Sequence, residues 1–167
     1  MNRVHIIGGK NHGKTTLVSE LVQQLSDCGY RVGTIKHTHH QHELDAPGKD
    51  SHRHREAGAS VVGILSRSMN AVFWEPHSTN PSIRDQRYDG FVPMFDQCDL
   101  VIVEGDSQTM QPKIEVWRES LGTQPLAEKD ASITAVVTND ELQISLPVWP
   151  RSDVPALATK ILSLATK

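Results

Sequence analysis

The chain has 167 residues, 37% of them hydrophobic, and a formal net charge of −3 at pH 7. That length buries one good core, so the chain reads as a single domain over residues 1–167. The mildly acidic balance gives no global attraction to nucleic acid or an anionic membrane, which excludes both as expected partners and makes any anion site a local one.

The first element is a short β-branched strand over residues 3–7. It runs straight into Gly8-Gly9-Lys10-Asn11-His12-Gly13-Lys14-Thr15-Thr16, which matches the pattern GxxxxGK[ST]. Glycines at these places let backbone N–H groups curl around an anion, Lys14 supplies a point charge near the β/γ-phosphates, and the Thr15 hydroxyl reaches Mg²⁺. Apolar residues at helical spacing over 15–25 place a helix N-terminus, with its partial positive charge, behind the loop. Strand, loop and helix in this order predict a nucleoside triphosphate site.

Asp27-Cys28-Gly29-Tyr30 reads as a helix stop and residues 31–36 as a second strand, completing a βαβ unit. Residues 37–59 are polar and charged and contain the break Ala46-Pro47-Gly48, which predicts a long functional loop ending in a short helix around 51–57. Six of the nine histidines fall here, between His37 and His54. Such a cluster invites zinc or nickel, with His37/His39 or His40/Glu43 sharing a face. The interleaved Lys36, Lys49, Arg53 and Arg55 favour an anionic ligand instead. Lys36, His37, His39, His40, Asp45, Lys49, Asp50 and Arg53 are therefore assigned to an anion-binding or switch loop.

Residues 60–65 and 70–75 predict a hairpin or two adjacent strands, followed by a loop over 76–81 and a helix around 83–95. The run Asp99-Leu100-Val101-Ile102-Val103-Glu104-Gly105 reads as a buried parallel strand. Glu104 stands at its C-terminal end, beside the phosphate loop, and is assigned to Mg²⁺ together with Thr15; Asp99 stands at the far end. Further strands are predicted at 113–118 and 133–138, and an amphipathic helix from 153 to 165. Asn139 and Asp140, after the last strand, offer groups for a base edge, with a plain turn as the alternative. The two cysteines, Cys28 and Cys98, are far apart and read as buried reduced thiols. The N-terminus shows no secretory pattern and no span is apolar enough for a bilayer, so a cytoplasmic protein is expected. The whole predicts an α/β three-layer P-loop fold, a mostly parallel sheet with helices on both faces and an extra β-hairpin. From the residues alone, a nucleotide switch, a small-molecule kinase and a histidine-rich metal-delivery GTPase all remain open.

The phosphate loop over 8–16 resembles the molybdopterin-guanine dinucleotide biosynthesis protein B family. So do Arg31-Val32-Gly33-Thr34-Ile35-Lys36-His37-Thr38-His39-His40, Asp45-Ala46-Pro47-Gly48-Lys49-Asp50-Ser51, and the strand ending Glu104-Gly105 followed by Pro112-Lys113-Ile114-Glu115-Val116. The resemblance implies GTP and Mg²⁺ as ligands, hydrolysis that is slow at most, and a homodimer. It also implies service as an adaptor to the molybdopterin guanylyltransferase enzyme, which attaches guanosine monophosphate to molybdopterin; the 37–55 loop would then sense the γ-phosphate or meet the pterin. Three places depart from the family pattern. Asp106-Ser107 stands where an aromatic residue and a lysine are typical, Gln41 where an acid is frequent, and Lys10-Asn11-His12 where small residues are common, which predicts a bulkier loop interior.

Overall fold

The computed structural model describes residues 1–38, 43–75 and 85–165. Its strands are β1 (Arg3–Ile7), β2 (Val32–Lys36), β3 (Val61–Ile64), β4 (Ala71–Trp74), β5 (Leu100–Glu104), β6 (Lys113–Val116), β7 (Ile133–Thr138) and β8 (Val148–Pro150). Its α-helices are α1 (Lys14–Asp27), α2 (Asp50–Glu56) and α3 (Val154–Ala165). The chain divides into two compact units, Met1–Thr38 with Tyr88–Lys167, and His39–Arg87.

The first unit is built on a six-stranded sheet in the order β2-β5-β1-β6-β7-β8, every neighbouring pair parallel. Side chains alternate across a strand, and β1 sends Val4 and Ile6 to one face. There they meet Leu100, Ile102, Ile114 and Val137 from neighbouring strands. On that face α1 buries Leu17, Val18, Leu21 and Leu25, and α3 buries Leu157, Ala158 and Ile161, both at helical spacing. Each leucine or isoleucine buried in this way contributes about 1.5–3 kcal/mol of transfer free energy, which is why helices of modest intrinsic propensity hold here.

On the opposite face the covering helices are of the 3₁₀ type. Val101, Val103, Ile35 and Tyr88 pack there with Phe91 and Phe95. The helix expected around 83–95 is, in its described part, a 3₁₀ run, Gln86–Met94, with Pro93 inside it. Proline removes a backbone donor and clashes with the preceding turn, so an α-helix does not form. Under the β6 and β7 end, Ile7, Trp117, Ala127, Ile133 and Val136 form a further cluster beneath the short 3₁₀ turn Leu126–Glu128.

The edge strand β8 is absent from the sequence expectations. It is three residues long and ends in Pro150, a residue tolerated only where a strand edge needs no donor. The cysteines also depart from expectation: both are free, but Cys28 is exposed at the α1 C-terminus and Cys98 is only partly buried. In the second unit β3 and β4 pair antiparallel, Val61 opposite Trp74, as the hairpin reading required. Residues 76–80 of the expected loop, with Pro81, and His39, His40, Gln41 and His42 lie outside the described residues. Among the described residues, no helix is long and apolar enough to cross a membrane.

Candidate phosphate site

Parallel pairing sets Ile6 and Lys36 directly beside Glu104, on either side of β5. The chain leaves β1 one residue after Ile6, so the phosphate loop begins next to that carboxylate, at the C-terminal end of the sheet where ligands of open α/β folds bind. Two glycines are dictated by this geometry. Gly8 has φ 139°, and a Cβ there would run into the Val116 carbonyl; Gly13 has φ 94° and immediately precedes α1. Asn11 also adopts a left-handed conformation, φ 68°, which asparagine tolerates better than most residues.

Lys14 turns back over the loop, its Nζ donating to the carbonyls of Gly8 at 3.0 Å and Gly9 at 2.6 Å. Burial lowers its pKa, the neighbouring Lys36 lowers it further, and Glu104 opposes both. The Thr15 hydroxyl donates to Glu104 Oε1 at 2.8 Å, and the Lys36 ammonium donates to the same oxygen at 2.8 Å. Burial works to raise the Glu104 pKa. The hydrogen bonds from Lys36 and Thr15 and the charges of Lys36 and Lys14 outweigh it, so the carboxyl lies below its usual range and is ionised at neutral pH. Thr15 and Lys36 thus meet at one oxygen of Glu104.

The concavity above the loop, about 300 Å³, is lined by Asn11, Gly13, Lys14, Thr15, Thr16 and Arg118. The His12 ring is not part of that lining. It is buried, with Nδ1 accepting the Arg118 backbone N–H at 2.9 Å and Nε2 set 3.0 Å from Thr123 Oγ1. An acceptor Nδ1 fixes the proton on Nε2, which donates to Thr123. Burial, then the charges of Lys14 and Arg118, push the His12 pKa down, so the ring is neutral. The bulk expected in the loop interior is therefore spent on pinning the chain after β6, and His12 serves the loop through its backbone.

Asp106, one of the departures from the family pattern, is buried and accepts the Tyr88 hydroxyl at 2.7 Å. The neighbouring Ser107 carbonyl accepts the ammonium of the buried Lys113 at 2.7 Å, and Lys113 also meets Asp130 at 2.8 Å. Glu115 is buried as well, accepting the N–H groups of Leu126 and Ala127 at 2.8 and 2.9 Å; burial nonetheless raises its pKa. These are scaffold pairs beneath the site.

After β7, Asn139 Oδ1 accepts the Ser152 N–H at 2.9 Å and Asp140 Oδ2 accepts the Glu119 N–H at 2.8 Å, so both side chains join loops of this chain. Lys36 and His37 belong to the first unit. Asp45, Lys49, Asp50 and Arg53 belong to the second, where Asp45 is buried, accepts the Ser51 hydroxyl at 2.8 Å and faces Arg55 at 3.5 Å. Lys49, Asp50 and Arg53 are exposed around the start of α2. Among the described residues, no three histidine, cysteine or acidic side chains are grouped to hold a metal.

Arg118 and Thr123 are the site residues that sequence reading does not single out. Arg118 lies 105 positions beyond Gly13, and only the parallel placement of β6 beside β1 brings the two together. The available sequence clue is weak: an arginine two residues past a buried strand that neighbours the phosphate-loop strand.

The chain is similar to known proteins of one description. The family model for molybdopterin guanine dinucleotide synthesis protein B matches residues 3–139. The chain is 36% identical over 154 residues to the molybdopterin-guanine dinucleotide biosynthesis adapter protein of Haemophilus influenzae, covering 92% of this chain and 83% of that protein. It is 32% identical over 158 residues to the adapter protein of the same description in Escherichia coli, covering 93% and 88%. Its fold is similar to a crystal structure of molybdopterin-guanine biosynthesis protein B, with a TM-score of 0.71 at 25% identity over 99% of each chain.

Proposed function

Because this chain belongs to the molybdopterin guanine dinucleotide synthesis protein B (MobB) family, we propose that it is a GTP-binding accessory protein of molybdenum cofactor biosynthesis. In this reading it assists the enzyme that converts molybdopterin to molybdopterin guanine dinucleotide, as a cytoplasmic homodimer. The observation that carries the nucleotide half of the proposal is the meeting of Lys14, Thr15 and Glu104 at the mouth of a glycine-built loop.

Lys14 releases the Gly8 and Gly9 carbonyls and turns to the phosphates, whose charge replaces the weaker carbonyl dipoles. Backbone N–H groups at the start of α1 complete the cradle. The donor set suits Mg²⁺: a hydroxyl and a carboxylate oxygen already 2.8 Å apart, both hard, with Glu104 Oε1 already holding a cation in the Lys36 ammonium. Thr15 and Glu104 would hold the ion, and Mg²⁺ there neutralises charge on the phosphate oxygens. Lys36, displaced from Glu104, then becomes available to the γ-phosphate. Hydrolysis by this chain alone is slow in this reading, because slow turnover is the rule where no group orients the attacking water.

Titration calorimetry in Mg²⁺ tests the assignment. GTP is expected to bind more tightly than ATP, and Lys14→Ala to abolish binding. Equal affinity for the two nucleotides sinks the guanine assignment, and an unchanged Kd in Lys14→Ala sinks the site. The titration decides base selectivity directly, since Asn139 Oδ1 and Asp140 Oδ2 already hold N–H groups of their own chain.

A further inference from the structure

Arg118 stands two residues beyond β6 on a chain segment fixed from several sides. Its own N–H is held by His12 Nδ1 at 2.9 Å, the preceding Trp117 donates its indole N–H to the Thr123 carbonyl at 2.8 Å, and the following Glu119 N–H is held by Asp140 at 2.8 Å. From this anchored backbone the guanidinium reaches across Gly13. Its Nη2 lies 2.6 Å and its Cζ 3.2 Å from where a Cβ on Gly13 would stand, so it rests on the bare α-carbon of the loop. It shares the concavity with Asn11, Lys14, Thr15 and Thr16.

Among the described residues no acidic partner accounts for a cation there. Arg118 is exposed, and no carboxylate pairs with its guanidinium among the described residues. Lys14 lines the same concavity, and both charges press on the His12 ring. Two cations and a helix N-terminus around one hollow repel each other unless an anion completes them. A planar fork of N–H donors matches the oxygens of a phosphate chain better than a point charge does.

We infer that Arg118 is a phosphate-binding residue, a second cation beside Lys14 that contacts the polyphosphate of a bound nucleoside di- or triphosphate from across Gly13. The inference rests on the nucleotide reading proposed above and adds to it a residue outside the GxxxxGK[ST] pattern. Because Arg118 is tied to the fold through its backbone N–H and not its side chain, substitution removes the charge while leaving the His12 contact in place.

The test is calorimetric titration of the full chain with Mg-GDP and Mg-GTP, comparing wild type with Arg118→Ala, Arg118→Lys and Lys14→Ala, alongside thermal unfolding. Arg118→Ala is expected to weaken both nucleotides by about tenfold to a hundredfold, the range of a lost charge-assisted bond, at an unchanged unfolding temperature. Arg118→Lys is expected to lie between it and wild type. Should Arg118→Ala fail to fold, Arg118→Gln, which keeps the stem and loses the charge, decides on the same scale. If wild type binds, Lys14→Ala does not, and the Arg118 variants bind as wild type, the role of Arg118 is overturned and the nucleotide reading stands. If wild type binds neither nucleotide, both fall together.

Discussion

The two ends of β5 carry carboxylates of like chemistry in opposite employment. At the N-terminal end, Asp99 Oδ2 accepts the Arg31 N–H at 2.7 Å, the Asp99 N–H donates to the Arg31 carbonyl at 2.8 Å, and Arg31 Nη1 reaches Gln97 at 3.1 Å. The carboxylate there is engaged by the backbone of its own chain. At the C-terminal end, Glu104 faces Lys14 and Lys36, and the backbone of the phosphate loop is left-handed at Asn11 and Gly13. One end of the strand is finished by the fold, whereas the other holds an excess of positive charge on an unusual backbone. A carboxylate at a strand end acquires its role from that difference, not from its position in the apolar run.

The comparison is broken most severely by Glu104→Ala. It removes the oxygen shared by Thr15 and Lys36, so Mg-GTP affinity is expected to fall about tenfold to a hundredfold. Binding measured with the metal chelated should change far less. If the loss is equal with and without Mg²⁺, Glu104 acts as part of the scaffold and not as a metal ligand.

A smaller effect, on stability, is expected at His12. His12→Ala orphans the Arg118 N–H and removes the Thr123 partner, which should destabilise the chain by about 2 kcal/mol in chemical unfolding. The same pin is acid-sensitive. The folded His12 pKa lies below its ordinary value, so the unfolded chain binds the proton more readily and the contribution is fully present above about 6.5. It is lost as pH falls from there through the lower folded pKa. Wild type should therefore lose stability over that window more steeply than His12→Ala, and parallel pH profiles would show that the ring does not titrate on unfolding.

The contrast also explains what could be read from residues alone. β1, α1 and β5 are legible because their apolar residues recur at the period of the element they form, and the loop is legible because its glycines and Lys14 lie within nine positions. Glu104 is legible because a parallel strand ends where it must face the loop. Arg118, by contrast, is positioned by the β1 and β6 pairing and by a histidine 106 residues away, and no local pattern encodes a contact of that span. β8 is too short for a period to show, and Pro93 turned an expected α-helix into a 3₁₀ run. His12 was visible as bulk but not as a hydrogen-bonding pin, because Thr123 meets it only after β6 is in place.

The smallest expected effect lies at the finished end of the strand. Asp99→Ala deletes one acceptor of an exposed N–H, so solvent takes over part of the loss and the cost should be about 1 kcal/mol in chemical unfolding. Its distance from the loop along β5 predicts nucleotide affinity within experimental error of wild type. The pair Asp99→Ala and Glu104→Ala thus separates stability from binding within one strand. A loss of Mg-GTP affinity in Asp99→Ala would mean that the two ends are coupled through β5, and the division between a finished end and a ligand-completed end would have to be abandoned.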